Sequence, residues 1–155
     1  MLADEFLRVG PDAPTLCGDW STRDLAAHLV VRERRPDAAL GVIWKRLAGR
    51  TERVQTRIAQ QPWDDLVDLV RSGPPAWSPT RAGAIDRVAN TAEFFVHLED
   101  VRRAAPDWTR RELDEDLRDD LVTALRRSSK LLARRAPVGL VLEPDGGLPA
   151  VVARR

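Results

Sequence analysis

The chain has 155 residues, 43% of them hydrophobic and 32% charged, with a net charge of +1. That is the size of one domain, enough for one substantial core, and so balanced a charge gives little long-range attraction to nucleic acid. No apolar run reaches about 18 residues, no basic-then-apolar leader opens the chain, and the single cysteine, Cys17, excludes an internal disulfide. The expectation is a cytoplasmic protein with no membrane span and no nucleic-acid partner.

In chain order, Leu2, Phe6 and Leu7 stand at helical spacing and predict a very short first helix ending at Gly10-Pro11. Pro11 to Pro14 impose an extended or turning connection. Ser21 is a good N-cap for a second helix, Asp24 is a shortened capping-box acid, and Trp20 is placed to pack back on Leu25. Leu25, Ala26 and Leu29 form the apolar stripe of that helix, with His28 at its edge. Pro36 either kinks the helix or starts a new one. Leu40, Ile43, Trp44 and Leu47 continue an apolar face to Gly49, which reads as a C-cap. Thr51 then caps a further short helix carrying Val54 and Ile58. The helix after Pro62 is expected to bury Leu66, Leu69 and Val70 and to end at Gly73-Pro74-Pro75. Residues 73–84 form a proline-rich loop that either covers a site or merely connects, with Trp77 packed on the helices.

A long helix is predicted over 85–105. Ile85, Val88, Ala92, Phe95 and Val96 share one stripe, and Phe94, Leu98 and Val101 extend the apolar surface on the far side. Glu93 and His97 fall between the two. Pro106 stops this helix. Asp114 caps the next, which carries Leu117, Leu121, Leu125, Leu131 and Leu132 to about residue 136. Finally, Val138–Leu142 and Leu148–Val152 flank Pro144-Asp145-Gly146-Gly147, a β-hairpin signature. The domain reading is a helical bundle over 1–136 with a hairpin over 137–155 packed on it.

Glu93 and His97 stand one helical turn apart, about 5–6 Å between Cβ atoms, so both can grip one divalent ion. The chain's other histidine, His28, is the candidate third ligand. Three protein ligands with one open position describe a catalytic rather than a structural metal site. By spacing alone, an ordinary helical ion pair and a packed core histidine are the more usual readings. Asp100 or Glu99 can orient His97 through its second ring nitrogen, although Glu99 is expected to pair with Arg102 and Arg103. Cys17 has no base near it in sequence, so the expectation is a buried structural thiol. The arginines of Arg32-Glu33-Arg34-Arg35 and Arg126-Arg127 either recognise an anionic substrate or, by default, form a solvated helix face.

The run Thr15-Leu16-Cys17-Gly18-Asp19-Trp20-Ser21-Thr22-Arg23-Asp24-Leu25-Ala26-Ala27-His28-Leu29 resembles the W-x-x-x-D-L-x-x-H-L entry to helix two of the mycothiol-dependent maleylpyruvate isomerase group. That group belongs to the DinB-like metal-binding superfamily. Glu93-Phe94-Phe95-Val96-His97 resembles its second motif, E-x-x-x-H. From Gly10 to Arg155, including Arg32 to Asp37, the chain is similar to an uncharacterised actinobacterial branch of metal-binding proteins.

The resemblance implies a DinB-like four-helix bundle holding a divalent metal, usually zinc, on His28, Glu93 and His97. It further implies that the open position takes the thiol of a low-molecular-weight cofactor such as mycothiol. The implied reaction is isomerisation of, or S-transfer to, a small electrophile. Two departures stand out: the first helix is shorter than in the group, and less sequence follows the hairpin. A non-enzymatic metal-binding or interaction protein is the other class left open. The short first helix and the hairpin edge also suggest a homodimer.

Overall fold

The computed structural model describes residues 1–35, 48–78, 87–134, 136–143 and 151–153. Among these the protein is mainly helical. The helices are α1 (Leu2–Val9), α2 (Thr22–Arg34), α3 (Ala48–Ala59), α4 (Trp63–Ser72), α5 (Arg87–Arg103) and α6 (Glu115–Ala133). Two three-residue strands, β1 (Leu140–Leu142) and β2 (Val151–Ala153), complete the described elements. No described helix is long and apolar enough to cross a membrane.

By internal contacts the chain forms two compact units, Met1–Asp86 with Phe94–Arg110, and Arg87–Glu93 with Arg111–Arg155. The boundary between Glu93 and Phe94 falls within helix α5.

In the first unit α2 packs on α3 and α4, and α1 packs on α4. The reason lies in the apolar faces: Phe6 of α1, Leu25 and Leu29 of α2, and Leu66 and Val67 of α4 are wholly buried, joined by Leu98 and Val101 of α5. Phe6 meets the Trp63 ring edge-on at 5.8 Å between centroids. Removing a side chain of this size from water contributes ~1.5–3 kcal/mol. Arg23 covers the other part of Trp63, its guanidinium carbon 5.6 Å from the ring centre. The same guanidinium donates to the carbonyls of Ala59 and Gln61, both at 2.9 Å, which closes the end of α3.

The start of α2 follows the expected capping chemistry. Asp24 N–H donates to Ser21 Oγ, and Ser21 N–H donates back to Asp24 Oδ2 at 3.0 Å. Helix α4 begins after Pro62 and stops at Gly73, whose φ of 66° lies where side chains are strained.

The second unit holds α6 and the strands. Asp114 caps α6 by accepting from Leu117 N–H at 2.8 Å. The strands pair antiparallel, Leu140 opposite Ala153 and Leu142 opposite Val151, and β2 packs on α6. The expected turn at Pro144–Gly147 lies outside the described residues. So do Pro36, Leu40, Ile43, Trp44, Leu47, Ile85 and the loop beyond Ser78.

Several local expectations are corrected. Gly49 does not end a helix, and Thr51 does not start one; both lie inside α3. A single glycine costs a helix only ~1 kcal/mol relative to alanine, less than the packing of Val54 and Ile58 on the core returns. Val67, rather than Leu69, is the fully buried partner of Leu66 in α4. On α5 the face that joins the core runs through Leu98 and Val101 with Phe94 beside it, whereas Val96 is 52% exposed. Among the described side chains of α6 the buried ones are Val122, Ser129 and Ala133, and Leu131 is 69% exposed; the Leu132 side chain lies outside those described. Trp77 does not pack down but stands 63% exposed; its neighbour Ser78 is buried and donates to the Glu33 carbonyl at 2.6 Å.

Candidate metal centre

Helix α5 sets the site from one side. At 100° per residue, Glu93, His97 and Asp100 fall within about 60° of one another on one face. Helix α2 brings His28 to the same place. Its ring lies 5.6 Å from that of His97, at 74°, and 5.3 Å from Trp20 on its other side. Trp20 packs against the core that contains Leu25, and its ring also meets that of His28.

His28, Glu93 and His97 are each partly buried, and Glu93 stands one turn before His97 on α5. Two imidazoles and one carboxylate form the donor set of a borderline ion such as zinc.

The second ring nitrogen of His97 is held as well. His97 Nδ1 lies 3.1 Å from Asp100 Oδ2, with the two side chains 14% and 21% exposed. A proton on Nδ1 shared with that carboxylate leaves the Nε2 lone pair for a metal, the usual arrangement behind a metal-binding histidine. Of the two carboxylates considered for this role, Asp100 takes it. Glu99 is buried and accepts from Arg102 and Arg103, each at 2.8 Å. Arg103 in turn lies over the Trp108 ring at 4.8 Å.

Cys17, expected as a buried structural thiol, is half-buried, and its Sγ lies 3.1 Å from Asp100 Oδ2 and 3.8 Å from His97 Nδ1. These partners are 83 and 80 positions away, which is why no local pattern revealed them. The one available signal was that Asp100 shares a helix face with His97.

The Arg32–Arg35 segment is also not a plain solvated face. Glu33 is 1% exposed, and its Oε2 has no hydrogen bond among the described residues. Burial pushes its carboxyl up to about 7, against the opposing pull of Arg32 and Arg34. Arg34 reaches across to Ser72 Oγ at 2.7 Å and to the Gly73 carbonyl at 2.9 Å, tying α2 to the end of α4.

Comparison with known protein families, with curated proteins and with solved structures yields no match. The class that fold and site define is a mainly helical protein whose described residues include side-chain groups that could hold a metal ion.

Proposed function

We propose that this chain is a DinB-like metal-binding protein, built on a four-helix bundle, that holds a divalent ion, zinc first, on His28, Glu93 and His97. The observation that carries the reading is that the rings of both histidines of the chain meet, 5.6 Å between centroids, with Glu93 one turn before His97 on the same helix. The motifs around His28 and Glu93–His97 support it independently. A divalent ion there supplies Lewis acidity toward a thiol or water in its remaining position. The chain's own residues set the geometry. Asp100 holds the His97 ring and its Nδ1 proton, Trp20 backs His28, and the turn of α5 fixes Glu93 beside His97. The site suits a small-molecule thiol acting on a small electrophile, in S-transfer or isomerisation.

Elemental analysis of freshly purified protein, with chelator competition on His28→Ala and Glu93→Gln, tests the metal. We expect metal in the unmodified chain and affinity weakened at least about tenfold in each variant. Near-zero metal in the unmodified chain, with none taken up on addition, sinks the reading. Turnover of an electrophile with a low-molecular-weight thiol, lost in His97→Ala, supports the enzyme. Metal bound without thiol affinity leaves the non-enzymatic binding protein.

A further inference from the structure

We infer that Cys17, His97 and Asp100 form a second, alternative metal site, selective for thiophilic ions, that shares His97 with the first. The three donor atoms lie in one compact unit, and their separations are 3.1 Å (Cys17 Sγ to Asp100 Oδ2), 3.8 Å (Cys17 Sγ to His97 Nδ1) and 3.1 Å (His97 Nδ1 to Asp100 Oδ2). The ligand atoms of a tetrahedral zinc ion bound by sulfur, nitrogen and oxygen stand roughly 3.3–3.6 Å apart. Each of the three separations lies within roughly 0.2 Å of that range, so small side-chain shifts bring the triangle to one face of such a tetrahedron. A single ion can therefore sit over it with little rearrangement.

The backbone holds the triangle in place. Cys17 belongs to a loop closed by the bridge between Pro14 and Ser21 and by Thr22 N–H donating to the Ala13 carbonyl at 2.9 Å. Within it, Thr15 Oγ1 accepts from Cys17 N–H at 3.1 Å and donates to the Trp20 carbonyl at 2.8 Å. Gly18 supplies the next bend at a φ of 66°. The loop is then pinned to α5, because Leu16 N–H donates to the Asp100 carbonyl at 3.1 Å. That carbonyl is one of the last four of the helix, which lack partners within it. The same residue thus anchors the loop through its backbone and offers its carboxylate to the site.

The donor set decides the ion. A thiolate, an imidazole and a carboxylate favour zinc, cadmium or cobalt over magnesium, calcium or manganese. On binding, the Cys17 thiol gives its proton to the buffer. The lone pair used on His97 is that of Nδ1, so the ring proton sits on Nε2. The first site needs the opposite tautomer. As a neutral ring, His97 therefore serves one ion at a time, and the two sites exclude each other. The second site does not depend on His28 or Glu93 binding a metal.

Cobalt(II) added to the full chain tests this, because a cobalt–thiolate bond gives a near-ultraviolet charge-transfer band that nitrogen and oxygen ligands do not. Cys17 is the only cysteine. We expect the band in the unmodified chain, in His28→Ala and in Glu93→Gln, and its loss in Cys17→Ser. As a check that needs no variant, cadmium should slow alkylation of Cys17 by iodoacetamide in the unmodified protein. Cobalt bound without a sulfur band in a folded His28→Ala chain, where the first site does not compete, overturns the proposal. So does loss of the band in a Glu93→Gln chain that circular dichroism shows to be folded, since Cys17 would then be joining the first site's ion. Visible cobalt absorption that persists in Cys17→Ser but disappears in Cys17→Ser/Glu93→Gln reports the His28 set separately, so either reading can fail alone.

Discussion

Asp100 Oδ2 lies 3.1 Å from His97 Nδ1, one turn further along the same helix. A carboxylate in that position fixes the tautomer and the orientation of the ring. Replacing it with an amide keeps the shape but removes the charge that holds the proton. Asp100→Asn should weaken zinc binding roughly 10–100-fold, as measured by competition with a chelator. An unchanged affinity would show that His97 is oriented by packing alone.

Glu33 gives the chain a specific dependence on pH. Its folded-state carboxyl is raised from 4.5 to about 7 by burial. Between those values the folded chain keeps a proton that the unfolded chain has released, so stability falls as pH rises through that window. The contribution present below the lower value is lost above the upper one, about 3 kcal/mol in all. Glu33→Gln, neutral at every pH, should flatten the slope and be the more stable form above pH ~7. Urea denaturation of both chains at acidic and alkaline pH reads this directly.

Thr15 is buried and serves the Cys17 loop with both lone pair and proton. In Thr15→Val the methyl groups fill the same space, but the Cys17 N–H and the Trp20 carbonyl lose their partner. The expected cost is about 1–3 kcal/mol in chemical denaturation. Alkylation of Cys17 should also accelerate, because the loop that positions the thiol is loosened.

The core and the helix cap make a contrasting pair. Phe6→Ala removes a wholly buried ring that meets Trp63, and should destabilise the chain by about 3–5 kcal/mol. Ser21→Ala removes one half of the reciprocal cap at α2 and should cost ~1 kcal/mol. Thermal melts followed by circular dichroism separate effects of this size.

Much of the secondary structure was legible in the residues because caps and periodicity are local. Ser21 with Asp24, Asp114 before α6, and Gly73 after α4 act through backbone groups within a few positions. Where local signals were weaker than packing, they misled. Gly49 stayed inside a helix, and Val96 and Leu131 faced outward although their spacing placed them with other apolar residues.

The same division holds at the site. The sequence by itself determined that Glu93, His97 and Asp100 share one face of α5, because 3.6 residues per turn leaves no other arrangement once the helix forms. Only the tertiary structure decided that His28 meets His97, that Cys17 approaches the opposite nitrogen of the same ring, and that Glu33 is buried. Those relations depend on how α2 and the Cys17 loop pack against α5. Side-chain packing joins residues 80 positions apart by shape and burial, and these have no period to read along the chain.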